Sequence, residues 1–190
     1  MKKLMIAALA VAFAAVAQAA SFNWQNTGMS TTGVIYDYTA SSTKLSAGMV
    51  AVLIDSAVTS QTELLKAARK DGFNLNSYAI SGASTTVNTS SKIAKTADFT
   101  YGDVGTEYSF YFVILDGANN QILISETANA QGQLGATDTA SFAGSKTWSN
   151  KAFGDADYTS AGWYSTVPEP TSALLLLLGM AGLALKRKQA

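Results

Sequence analysis

The feature that most limits what this chain can fold into lies near its end, where neither a helix nor a central strand can continue. Residues 167–170 read Val167-Pro168-Glu169-Pro170. Proline lacks the amide donor and fixes φ, so two prolines around one glutamate make an extended, accessible elbow. An apolar run follows at 172–185, with five consecutive leucines at 174–178 and then Gly179, Ala181 and Gly182. Lys186, Arg187 and Lys188 stop it, a basic cluster that belongs on the cytoplasmic side of a membrane. The run is shorter than the roughly 20 apolar residues a bilayer span takes, so it inserts only with snorkelling lysines or local thinning. Such a marginal span suits a segment that is held briefly, processed and discarded.

Elbow, apolar helix and basic terminus, in that order, resemble the PEP-CTERM sorting tail of Gram-negative bacteria, which the membrane enzyme exosortase reads. The resemblance is confined to 167–190, and Lys-Arg-Lys stands where arginine is more usual. It implies a transient stay in the inner membrane and an exosortase-like partner acting at Val167, Pro168, Glu169 and Pro170. Delivery to the cell surface or extracellular matrix follows from the same resemblance, with exopolysaccharide as a candidate partner there. An ordinary single-span anchor is the alternative, but an anchor has no need of Pro168-Glu169-Pro170.

The other end reads as an export signal. Lys2 and Lys3 precede an apolar core at 4–16, and Ala17-Gln18-Ala19 puts small residues where signal peptidase reads them. Cleavage is expected after Ala19, leaving Ala20 as the first mature residue. A buried N-terminal helix is the alternative, yet 1–20 has no polar face beyond its lysines. The chain thus divides into a signal peptide (1–19), an exported domain (20–166) and a sorting segment (167–190). The middle part is long enough to bury a core of its own.

Composition removes much chemistry. The sequence has no cysteine and no histidine. Zinc, copper, haem and iron–sulfur sites lean on those residues, and Ser-His-Asp or Cys-His catalysis requires them. No disulfide can brace the fold despite export, so packing must hold it. Of thirteen basic and thirteen acidic residues, five basic ones and one acidic one lie in the two end segments, which leaves 20–166 four charges negative. With no basic stripe, nucleic acid is excluded as an electrostatic partner.

The exported domain reads as mainly β, an antiparallel sandwich-like fold with one short helix. Strands are expected at 33–38, at 48–54 and at 106–115, the last dense in aromatic and β-branched residues. The turn residues 116–120 and the return at 121–125 make 106–125 a hairpin. In its first strand both faces are apolar, which predicts a central position. Ser60 with Glu63 forms a capping box, and Gly72 stops the helix that follows, with Leu64, Leu65 and Ala68 turned to the sheet. Phe73, just past that glycine, is expected to pack on the helix end.

Candidate sites are few, and no catalytic residue, metal ligand or cofactor site is assigned. Ser41-Ser42-Thr43-Lys44 has the Ser-x-x-Lys spacing of serine β-lactamases without their other motifs, so a polar turn is the better reading. Asp155 and Asp157 could offer two carboxylates to calcium, against a solvated turn. Asp37, Asp55, Asp103 and Asp116 sit at expected strand ends, where aspartate caps turns. Trp148, Phe153, Tyr158, Trp163 and Tyr164 form either an exposed row for sugar stacking or a last strand closing the core, and core closure is favoured. Asn88-Thr89-Ser90 matches a glycosylation sequon in a Ser/Thr-rich stretch. Together these features predict a non-enzymatic exported protein. The alternatives are a secreted carbohydrate-binding module or an Asp/Glu-dependent carbohydrate-active enzyme.

Overall fold

Side chains of alternating orientation and similar apolarity on both faces decide where the longest strand lies. The computed structural model describes residues 18–26, 34–36, 38, 43–142 and 157–167. Within them run β1 (Ala19–Gln25), β2 (Val50–Asp55), α1 (Gln61–Ala68), β3 (Ser84–Thr86), β4 (Phe99–Asp103) and β5 (Glu107–Asp116). They are followed by β6 (Gln121–Ile124), β7 (Ala128–Gln131), β8 (Thr137–Ser141) and β9 (Gly162–Ser165). In β5, Phe110, Phe112 and Ile114 are fully buried on one face, and Tyr111 and Val113 on the other. The strand is central, as its composition predicts.

Six strands form the larger sheet, in the order β3-β2-β5-β6-β9, with β7 also paired to β5. The expected hairpin is present as β5–β6, in antiparallel register from Val113↔Ile124 to Asp116↔Gln121. β6 and β7 share one edge of β5, β6 along 113–116 and β7 along 107–110. Between them the ladder breaks at Ser125. Its buried hydroxyl accepts the Phe112 amide at 2.9 Å and donates to the Glu126 carbonyl at 2.7 Å. A backbone donor that would otherwise be orphaned in the core is satisfied there.

The smaller sheet, β4-β1-β8, lies across the larger one. Phe22 and Trp24 of β1 meet Phe110 and Phe112 of β5, each pair with ring centroids 5.6 Å apart. On the far face of the larger sheet, α1 lays Leu64, Leu65 and Ala68 over Val52, Ile54, Tyr111, Val113, Ile122, Ile124 and Tyr164. The result is a sandwich with a helix as third layer. The capping box is present: the Glu63 amide donates to Ser60 Oγ at 3.3 Å, and the Ser60 amide to Glu63 Oε2 at 3.0 Å. The Ser60 hydrogen bonds hold the exposed Glu63 carboxyl below its ordinary value. Gly72 then turns the chain at φ +76°, and Phe73 stacks on Tyr78 beside this second core.

Two expectations need correction. The sandwich is not wholly antiparallel, because β1 pairs with β8 in parallel, from Ser21↔Thr137 to Gln25↔Ser141. A parallel pair needs a long connection between its strands, and 26–136 supplies it. The expected strand at 33–38 is replaced, among its described residues, by a single bridge between Tyr36 and Lys44. Ile35 is sunk in the sandwich core, and its amide bonds to the Ser91 carbonyl rather than to a neighbouring strand. The expected apolar helix at 172–185 lies outside the described residues. Among those described, no helix is long and apolar enough to cross a membrane.

The parallel pair is pinned by a polar chain. Asn23 Nδ2 donates to Asp98 Oδ1 at 2.8 Å, Thr137 Oγ1 donates to Asp98 Oδ2 at 3.0 Å, and Thr139 Oγ1 donates to Asn23 Oδ1 at 2.7 Å. Bonds from Asn23 and then Thr137 hold the Asp98 carboxyl below its ordinary value of 3.8. A carboxyl depressed by folding adds stability above its unfolded pKa and loses it as pH falls through the folded one. Urea unfolding from about pH 5 down to about pH 2 should therefore show a shallower acid loss in Asp98→Asn than in the parent chain. Parallel pH profiles for the two would contradict this role.

Candidate functional site

The last core strand and the start of the elbow are almost contiguous. In β9, Trp163 and Tyr164 are fully buried on opposite faces, Trp163 in the sandwich core and Tyr164 under the helix. Trp163 Nε1 donates to the Tyr36 carbonyl at 2.9 Å, and the Tyr164 hydroxyl donates to the Ser160 carbonyl at 2.6 Å. Aromatic residues therefore close both cores at the end of the domain.

Past β9 two more residues are described, and each is still hydrogen-bonded. Arg69 Nε donates to the Ser165 carbonyl at 3.2 Å, and the Thr166 amide donates to the Asn120 carbonyl at 2.9 Å. The Val167 amide donates to Ser165 Oγ at 3.2 Å, and Val167 is already 40% exposed. Pro168 comes next. Three residues reach at most about 10 Å, so anything that grips the elbow works against the folded sheet.

Residues 166–188 match the PEP-CTERM protein-sorting motif. The match begins on the residue that follows β9. It gives the chain the tail of an exported, surface-directed protein handled by an exosortase-type system. No curated protein and no solved structure matches the chain. Pro168, Glu169, Pro170, Lys186, Arg187 and Lys188 lie outside the described residues, and Val167 is the one motif residue of the elbow placed here.

At the amino end, Ala17 lies outside the described residues, whereas Ala19 and Ala20 open β1. Ala19 pairs with Asp103, the Val104 amide donates to the Gln18 carbonyl at 3.1 Å, and Ala20 is fully buried. The expected cut after Ala19 thus falls inside a paired strand. A peptidase needs its substrate extended and free, so that cut has to precede the pairing of β1 with β4.

The remaining candidates are mostly structural. Trp163 and Tyr164 are core residues, so they cannot belong to an exposed stacking row; Trp148 and Phe153 lie outside the described residues. The Tyr158 hydroxyl donates to the Ser125 carbonyl at 3.0 Å, and burial, then Tyr164, pushes its phenol up. Asp157 pairs with Lys66 at 2.8 Å on the surface, while Asp155 lies outside the described residues. Among the described residues no three Asp or Glu gather to hold a metal. Ser41 and Ser42 are also outside, and Lys44 bridges Tyr36. Asn88 Oδ1 accepts the Ser90 and Lys92 amides at 2.9 and 3.1 Å, which makes the sequon an Asx turn. Asp116 accepts both the amide and the side-chain nitrogen of Asn119, Asp103 ends β4, and Asp37 is outside.

Asp55 differs from the other strand-end aspartates. It is 5% exposed, and its carboxylate accepts the Ala57 amide at 2.8 Å and the Tyr101 hydroxyl at 2.7 Å. Burial, then the Asp55 carboxylate, pushes the Tyr101 phenol up. The pair lines a cleft of about 350 Å³ with Val58, Ser77, Tyr78 and Ile80. Nothing local in the sequence marks the pair, because Asp55 and Tyr101 are 46 positions apart.

If β9 closes both cores, Trp163→Ala should cost about 3–5 kcal/mol in urea unfolding, while Pro168→Ala should stay within about 0.5 kcal/mol. Equal, small effects of both would show that β9 is not part of the cooperative core.

Proposed function

We propose that this chain is a non-enzymatic exported protein whose folded sandwich is the cargo of its sorting tail. The signal peptide takes it across the inner membrane, the tail detains it there, and an exosortase-like enzyme acts at the elbow. The domain then moves to the cell surface or extracellular matrix, where its role is structural or adhesive. One observation carries this reading: the sorting motif at 166–188 begins as soon as the last core strand ends. Every described element of the sandwich therefore lies on the amino side of the elbow. Release at the elbow severs none of the strand pairing of the described residues.

The non-enzymatic part rests on residue chemistry. Without histidine or cysteine, the common nucleophile–base pairs cannot be assembled. The Asp116 carboxylate is engaged in a turn with Asn119, and the Asp55 carboxylate with the Ala57 amide and Tyr101.

Replacing Pro168, Glu169 and Pro170 by alanine tests the sorting step. The variant should still lose its signal peptide and begin at Ala20, but remain full length in the inner-membrane fraction. Cell fractionation with N- and C-terminal peptide mapping reads both ends. Normal arrival at the surface would refute sorting through the elbow and leave a plain anchor.

A further inference from the structure

We propose that the cleft beside Asp55 binds a primary ammonium group carried on a short apolar stem. Aspartate is rarely this buried without a cationic partner, because desolvation penalises the charge. Asp55 is 5% exposed, yet among the described residues its carboxylate meets two neutral donors, the Ala57 amide and the Tyr101 hydroxyl. Among the described residues no lysine or arginine is seen to pair with it, and Lys66 is engaged instead with Asp157. A carboxylate offers about four acceptor positions, so capacity remains for a cation's protons.

The surroundings select the kind of cation. Tyr101 and Tyr78 both line the cleft, and Tyr78 is steadied by stacking on Phe73 at 5.6 Å. Aromatic faces attract ammonium groups electrostatically. Ile80 and Val58 add apolar wall, and Val58 is 73% exposed at the surface. The volume of about 350 Å³ is near the lower end for small-ligand sites, which suits a short aminoalkyl group. Calcium asks for six to eight oxygen ligands, whereas Asp55 is the one carboxylate in this lining. An anion would meet the Asp55 charge directly. The same ammonium chemistry is carried by a free small amine and by a lysine side chain.

Amide NMR of the full chain in detergent micelles distinguishes these cases. n-Butylamine, cationic at neutral pH, should shift the amides of Ser77, Tyr78, Ser81 and Tyr101 saturably, while n-butanol of equal stem length should leave them unmoved. That comparison needs no variant. Asp55→Asn, if folded, should weaken butylammonium binding at least tenfold. Acetyl-Gly-Lys-Gly-amide binding as well as butylamine would support the site and assign its source to protein lysine. Binding of the free amine alone would support it and assign a small molecule. Equal shifts with butanol, undiminished binding in Asp55→Asn, or a calcium response at the same amides without an amine response would overturn the proposal.

Discussion

A ten-residue strand with large apolar side chains on both faces is stable only when each face is covered by something else. In this protein β5 imposes that demand, and the architecture answers it layer by layer. Phe110, Phe112 and Ile114 call for the β4-β1-β8 sheet, whose Phe22 and Trp24 supply the facing rings. Tyr111 and Val113 call for α1, whose Leu64, Leu65 and Ala68 cover the opposite side. The two edges of β5 are filled by β2 and by the interrupted β6–β7 pair. Burial of the aromatic side chains dominates the favourable side of folding here.

With no cysteine in the sequence, that packing has no covalent brace. The polar ends of the large aromatics are accordingly satisfied rather than left in the core. Trp24 Nε1 donates to the Ala83 carbonyl at 3.0 Å, Tyr111 to the Thr59 carbonyl at 2.9 Å, and Trp163 to the Tyr36 carbonyl at 2.9 Å. Each bond ties a sheet to a loop or connection and fixes the ring that makes it. The Asn23–Asp98–Thr137 chain does the same for the parallel β1–β8 pair, where side chains rather than a short hairpin set the register.

What the sequence disclosed follows the range of the interactions involved. The β5–β6 hairpin, the Ser60–Glu63 capping box and the aromatic closure at Trp163 and Tyr164 rest on nearby residues or on a strong apolar pattern, and they were legible. The sorting tail was legible for the same reason, being a linear signal. The parallel β1–β8 pair joins residues 116 apart, as in the Ser21–Thr137 contact, and no local pattern announces it. The β6–β7 break depends on one serine hydroxyl reaching back to Phe112. At 33–38 the residue types suit a strand, but burying Ile35 took precedence over ladder pairing. Asp55 reads as a turn cap, which it is through Ala57; its Tyr101 partner comes from a different sheet.

The functional account depends on β9 being both the final element of the core and the immediate neighbour of the sorting elbow. A strand at a sheet edge, four residues long, could in principle fray independently of the rest. Burial of Trp163 and Tyr164 in the two separate cores argues that it cannot open without exposing both. Native-state hydrogen exchange on the full-length chain measures this directly. The account predicts that β9 amides open with the same free energy as those of β5, in one cooperative unit. Exchange in β9 at least about 100-fold faster than in β5 would separate the strand from the core and contradict the picture of a finished domain presented at its tail.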